Sequence, residues 1–437
     1  PPAAQPAGPV EEEWRWAPHF TGAAEGPVSD GAVVVSADRE RHTVVAVDAA
    51  TGKPLWRFAA SGRIVSPPVI ADGRCIFGGR DGYLYCVDVA SGQLAWRFLA
   101  ARAERWMNAN GQLESTWPLF GSVGVQDGVI VALAGYAPLA NGGIHAWGIR
   151  IADGSVAWKR IIDRPVEPQP LRAAVSVETN NARDNNITHS TSDRTGVNRV
   201  VNRVPYGDGK LMALSDRMVI EPSTGKLYFT QSNSGDLQIA PEPRGENQPP
   251  RAKRGPAWPL PFTIAQNHGH IQNRWGRGDG MGASHESYMA FFRLAADAPG
   301  FTKLACFPAF RGKEVIMATA SNGGSGKDAI SRIDIGRVAK ENDVSGARWA
   351  FPLQRGMRPT SLIVAGDSVF AAWRTSEQNV NAAFQPASGT IVRISLAGGE
   401  EQQKLDVDSA VIVNGLMVAA GRLYAVHEDG TLRCYAP

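Results

Sequence analysis

The densest run of chemically capable side chains lies between Asn267 and Tyr288. Three of the eight histidines, His268, His270 and His285, fall there within 18 residues, with Arg274, Arg277, Asp279, Glu286 and Tyr288 beside them. His268 and His270 are two apart, so on a strand both imidazoles share one face. With His285 or Glu286 added, a divalent metal would find three ligands, as in a metal-dependent hydrolase. A histidine with Tyr288 and Arg274 or Arg277 could instead move a proton next to a neutralised carboxylate, the chemistry of a polysaccharide lyase. The same Gly-rich stretch also reads as a structured loop at the rim of a channel. The segment is expected at the rim or mouth of the channel, with at least two of the three imidazoles near one another.

A second polar stretch runs from Trp106 to Trp117 and mixes aromatics with amides: Asn108, Asn110, Gln112 and Glu114 lie between the two tryptophans. Trp117, Glu114 and Asn110, with Trp275 of the first stretch, are the candidates for binding a sugar or peptide. A packed, hydrogen-bonded crossover between elements fits the same residues. Residues 178–203, with Arg183, Arg194, Arg199 and Arg203, and residues 241–256 lack hydrophobic periodicity and read as loops rather than strands.

The four cysteines, Cys75, Cys86, Cys306 and Cys434, form neither a Cys-x-x-Cys pair nor a haem-attachment motif. If Arg80-Asp81 sits at the centre of a hairpin, Cys75 falls opposite Cys86, within disulfide reach in an oxidising compartment. Two small buried residues are the alternative.

The elements that must position these side chains announce themselves by repetition. Asp48-Ala-Ala-Thr51-Gly52 leads to Trp56-Arg57-Phe58, Asp88-Val-Ala-Ser91-Gly92 leads to Trp96-Arg97-Phe98, and Asp153-Gly154 leads to Trp158. In each copy an Asp or hydroxyl side chain can bend the chain, a Gly supplies positive φ, and a Trp follows four residues later. The 40-residue spacing from Trp56 to Trp96 fits a propeller blade of about four short strands. Apolar runs such as Val33–Val35, Val129–Leu133, Val315–Ala318, Ser361–Val364 and Leu423–Val426 mark the strands.

These repeats resemble the pyrroloquinoline-quinone-like repeat superfamily, which includes quinoprotein dehydrogenases and the outer-membrane assembly lipoprotein propeller. The resemblance implies that Trp56, Trp96 and Trp158, with Gly52, Gly92 and Gly154, dock one blade on the next. It also raises pyrroloquinoline quinone as a cofactor. Quinoprotein members typically carry adjacent cysteines and a Glu/Asn/Asp calcium site, whereas no two cysteines are adjacent here. No quinone-binding residue is therefore assigned.

The expected fold is all-β: a single propeller of four-stranded blades over 11–437, preceded by a linker at 1–10. It has eight blades, with seven as the alternative, and insertions near 101–116, 178–203 and 241–256. Asp429-Gly430-Thr431-Leu432-Arg433-Cys434 repeats Asp81-Gly82-Tyr83-Leu84-Tyr85-Cys86, yet the chain stops one strand short of a blade. Trp14-Arg15-Trp16 has no blade before it, so it should supply that strand and close the ring.

The formal net charge is only +3 and spread along the chain, which argues against nucleic acid as the main partner. No apolar run approaches the roughly 18 residues of a membrane span. The function expected is that of an exported, monomeric, non-enzymatic scaffold, periplasmic or secreted, for a protein or glycan. The alternative is an enzyme: a polysaccharide lyase or metal-dependent hydrolase built on 267–288 or, less readily, a quinone-dependent dehydrogenase with no residues assigned.

Overall fold

A computed structural model describes residues 4–17, 24–39, 41–109, 111–119, 121–136, 141–163, 206–207, 212–213, 218–230, 236–239, 253–257, 262–267, 288–293, 300–304, 306, 308–311, 314–319, 329–334, 346–354, 357–375 and 387–437. Every regular element among them is a strand. The first sheet takes Ala24–Ser29, Val33–Asp38, Thr43–Asp48 and Pro54–Ala59 in chain order. The second takes Val69–Ala71, Arg74–Gly78, Tyr83–Asp88 and Leu94–Leu99, and the third Gly124–Gln126, Val129–Ala134, Ile144–Arg150 and Val156–Ile162. Later sheets run over 309–352 and 357–407 in the same up-and-down order.

Sequence explains the layering. Val33–Asp38 and Thr43–Asp48 are apolar almost throughout because neighbouring sheets cover both of their faces. Pro54–Ala59 lies outermost, so its exposure alternates, with Trp56 and Phe58 turned towards the core. This is a propeller blade: the inner strands are buried on two sides and the last on one.

The Asp–Gly turns work as their residue types require. The Asp48 carboxylate accepts hydrogen bonds from the Thr51 backbone N–H (2.8 Å) and hydroxyl (2.7 Å), and Asp88 accepts the same pair from Ser91 (2.9 and 2.8 Å). Gly52, Gly92 and Gly154 stand at φ of 69°, 70° and 73°. They are needed for a second reason as well. A Cβ on Gly52 would lie 2.6 Å from the Trp14 ring, on Gly92 2.5 Å from Trp56, and on Gly154 2.8 Å from Trp96. Four of the docked tryptophans lie on the turn of the next sheet and donate the indole N–H to a carbonyl there: Trp56 to Val89, Trp96 to Ile151, Trp158 to Pro222 and Trp349 to Leu396, at 2.6–2.9 Å.

The ring closes as the sequence demands. Glu11–Trp16 pairs antiparallel with Leu432–Ala436 and completes a sheet with Arg422–His427 and Val411–Ala419. The inner strand of this closing sheet lies against the first sheet, where the Asn414 carbonyl is packed on Gly26. The chain is an all-β propeller.

The structure departs from expectation in four places. Cys75 faces Val87, and Cys86 faces Ile76. The hairpin turn centres on Asp81, because Gly82 at φ 89° closes a tight loop whose N–H bonds to the Gly79 carbonyl. One residue of register moves the two thiols to opposite faces, so Cys75 joins the core shared with the first sheet and Cys86 the core shared with the third. All four cysteines are buried free thiols. Lys253–Ala257, which overlaps the expected 241–256 loop, is a strand and ends a six-stranded sheet whose first described strand is Tyr206–Gly207. Residues 4–10, expected to be a linker, form a packed strap. Arg393 donates to the Gly8 and Pro6 carbonyls, Gln5 accepts from the Asp367 backbone N–H, and Val10 is buried. Lastly, the 101–116 insertion contains a hairpin of Trp106–Ala109 and Gln112–Ser115. The 178–203 insertion lies outside the described residues.

Candidate interaction face

In an antiparallel four-stranded blade, the turn between the second and third strands and the connection leaving the fourth lie at the same end. Five polar segments of the first three sheets therefore share one face. They are the 39–42 turn, the 60–68 connection with Arg63, the 79–82 turn with Arg80 and Asp81, the 100–123 connection carrying the hairpin, and the loop after Ala134 with Tyr136.

Glu114 holds this face together. It is fully buried, and Arg63 Nε (2.9 Å) and Nη2 donate to its Oε1. Arg80 Nη1 bridges Oε1 and Oε2 at 2.9 and 2.7 Å, and the Tyr136 hydroxyl donates to Oε2 at 3.1 Å. Burial raises the Glu114 pKa, but the hydrogen bonds and charges of Arg80 and Arg63 outweigh it and hold the carboxyl below its ordinary value. Burial, then the Glu114 charge, pushes the Tyr136 phenol up to about 12, so it stays a donor. The hairpin is tied down further by Ser115 N–H to the Arg80 carbonyl (2.7 Å) and by Gln112 Oε1 against His42 Nε2 (2.8 Å).

With its oxygens saturated by guanidinium and phenol donors, Glu114 has no role as a proton acceptor for a ligand. It anchors the hairpin. Trp117 is also placed by packing: buried beside His145, it donates its indole N–H to the Asn141 carbonyl at 2.9 Å. Of the residues proposed for ligand binding, Glu114 and Trp117 thus lie beneath the surface, and Asn110 and Trp275 lie outside the described residues. His268, His270, Arg274, His285 and Glu286 lie outside them too. Tyr288 is described on its strand, opposite Asn267 across the pair.

What does reach solvent is the hairpin's other side. Cross-strand partners Trp106–Ser115 and Asn108–Leu113 share one face, while Met107–Glu114 and Ala109–Gln112 share the opposite one. Gln112 and Glu114 turn into the protein, whereas Trp106 (46% exposed) and Leu113 (67% exposed) turn out. Sequence inspection picked out the stretch but not its polarity. Arg63 and Arg80 lie 51 and 34 residues from Glu114 and carry no local signal of the contact.

The fit of a quinone or metal can be judged on the donor set. Among the described residues no three His, Cys, Asp or Glu side chains converge, and no two cysteines stand side by side.

The sheets and their closure define the class of fold, a β-propeller. Residues 10–201 match the family of outer membrane protein assembly factor BamB. Among solved structures, BamB from Moraxella catarrhalis is similar over 98% of each chain, at 13% identity and a TM-score of 0.51. The quinohemoprotein alcohol dehydrogenase from Comamonas testosteroni is similar over 98% of this chain and 76% of its own, at 12% identity and a TM-score of 0.52. At these identities the likeness is one of fold. No curated protein matches the chain in sequence. Among the described residues no helix is long and apolar enough to cross a membrane.

Proposed function

We propose that this protein is a non-enzymatic propeller scaffold of eight blades, exported to the periplasm or secreted, which binds another protein through its hairpin-bearing face. The observation that carries the reading is the hairpin of 106–115, fixed at its base by a buried Glu114–Arg63–Arg80–Tyr136 cluster and turned with Trp106 and Leu113 to solvent. A rigid support beneath exposed aromatic and aliphatic groups suits recognition, because little conformational freedom remains to be lost on binding. The match of residues 10–201 to an outer membrane assembly factor supports both the protein partner and the exported setting.

The test is elemental analysis and an absorption spectrum of the purified protein, together with sedimentation of the chain alone. The expected result is a monomer without stoichiometric metal and without a quinone band. A stoichiometric divalent metal would overturn the scaffold reading and move function to the histidines of 267–288; a quinone band would move it to redox chemistry.

A further inference from the structure

The 106–115 hairpin is amphipathic in the reverse of the usual sense. Its one charged side chain, Glu114, is buried on the inward face beside half-buried Met107, Ala109 and Gln112, while Trp106 and Leu113 stand exposed on the outer face with Asn108. Neither choice favours folding: Glu114 must be desolvated with its arginines, and Trp106 and Leu113 forgo burial. An exposed leucine alone needs no explanation. A Trp and a Leu on one face of a two-stranded sheet, both held outward by register, form a patch, and Trp is the residue type most often found at the energetic centre of interfaces.

The surroundings of the patch set the chemistry of its partner. Arg105 directly precedes Trp106 and Arg102 lies four residues before it, and both are exposed. Glu104, the acid of that stretch, is already engaged by the Tyr83 hydroxyl, and the Tyr83 ring in turn carries Arg97 at 5.0 Å. Arg41, also exposed, adjoins His42, which touches the hairpin through Gln112. Three exposed arginines thus lie close in the chain to residues of the hairpin, and of them Arg41 already has Asp38 at 4.0 Å. A neutral sugar would gain little from guanidinium groups and a leucine. A peptide placing carboxylates beside a large apolar side chain would satisfy both.

We propose that the outward face of the 106–115 hairpin docks an acidic, apolar segment of a partner protein, with Trp106 and Leu113 as apolar anchors and Arg102 and Arg105 as carboxylate receivers. This rests on the scaffold reading above and names the place and the chemistry of its contact.

The test pans a random dodecapeptide phage library against the intact protein, then measures recovered peptides by fluorescence anisotropy. Recovered sequences should be rich in Asp and Glu beside Trp, Phe or Leu. Trp106→Ser and Leu113→Ser should each weaken their binding by about tenfold or more, and the paired change Arg102→Glu with Arg105→Glu by at least as much. Binding should weaken as salt is raised. Because all four side chains are exposed, the melting temperatures of these variants should match the parent's, which separates lost contact from lost fold. Peptides that bind the Trp106→Ser/Leu113→Ser double variant as tightly as the parent would overturn the hairpin proposal and leave the scaffold reading standing. Failure to recover any peptide, or Trp106-dependent binding of heparin or anionic vesicles in its place, overturns the acidic-segment proposal; only the absence of every binder counts against the scaffold as well.

Discussion

The second sheet and the closing sheet use the same turn and put it to opposite electrostatic use. In both, a Gly at positive φ (Gly82 at 89°, Gly430 at 80°) closes a loop whose Asp side chain accepts from the backbone two residues on, at 3.1 Å for Asp81 to Tyr83 and 2.9 Å for Asp429 to Thr431. Four residues after each Asp the two sheets differ. Tyr85 donates its hydroxyl to Asp81, whereas Arg433 donates Nη2 to Asp429 at 2.7 Å. Burial raises the Asp81 pKa, and neither its hydrogen bond to Tyr85 nor those to the backbone bring it back. Burial pulls on Asp429 as well, but there Thr431 and the Arg433 charge reverse the sign. Arg433 is itself buried and draws in Asp408, whose pKa its hydrogen bond lowers to about 2. The second sheet keeps its strong ion cluster one layer higher, at Glu114 under the hairpin. The backbone of the repeat is set by Asp and Gly, and one side chain decides where the charges gather.

The largest test of the contrast removes the closing strand. The second sheet owns its outer strand, Leu94–Leu99, whereas the closing sheet borrows Glu11–Trp16 from the far end of the chain. Deleting residues 1–17 should lower the melting temperature by many degrees, since it opens a sheet edge and bares the core around Tyr424 and Cys434. Equal melting of truncated and full chains would mean the borrowed strand contributes nothing.

Glu114→Gln is expected to come next. It leaves Arg63 and Arg80 buried without a counter-charge, a change that costs about 3–5 kcal/mol. Urea unfolding measures it. A loss below about 1 kcal/mol would show that water reaches the cluster and that the second sheet does not depend on it.

The closing sheet should respond to pH through His427. Its Nδ1–H donates to the Ser409 carbonyl at 2.5 Å, and the Tyr435 hydroxyl lies 3.1 Å from Nε2. Burial, then the Arg433 charge, depresses its pKa to about 4. The unfolded chain takes up this proton near pH 6.5 and the folded chain only near 4. Stability therefore falls as pH drops through that window, by roughly 3 kcal/mol for one such group. His427→Asn should flatten the slope between pH 6.5 and 4. An unchanged slope would assign it to another group.

The smallest effect belongs to Asp408→Asn. Asp408 is largely exposed, so solvent screens its pair with Arg433 and the loss should stay within about 1 kcal/mol. A larger loss would make the closing sheet's ion cluster as critical as the one at Glu114.

Much of this architecture was legible in the chain because it is written locally. Asp, Gly and Trp recur at fixed offsets, each offset specifies a turn and a docked ring, and a missing last strand implies a first one that fills it. Pairings that depend on a single residue of loop length were not legible. The Asp81-centred turn moved Cys75 off Cys86, although the identical turn around Asp429 held the same information. The ion cluster at Glu114 was hidden for another reason: its arginines come from a neighbouring connection and turn, and their residue types are ordinary surface types until the fold brings them together. The inversion of the hairpin followed from that cluster and was hidden with it.

At four junctions the docked Trp donates to a carbonyl of the next turn, but Trp14 finds its place taken. Tyr424 donates its hydroxyl to the Ala49 carbonyl at 3.0 Å, and the buried Trp14 indole N–H is left without a partner. This seam also joins Glu11–Trp16 to Leu432–Ala436, so all of the chain between them must be made before the seam can form. Loop-closure entropy makes it the costliest contact to bring together, and the orphaned indole makes it the least rewarded once made. The seam is therefore where the ring would be sealed last in biogenesis and where it would first come apart.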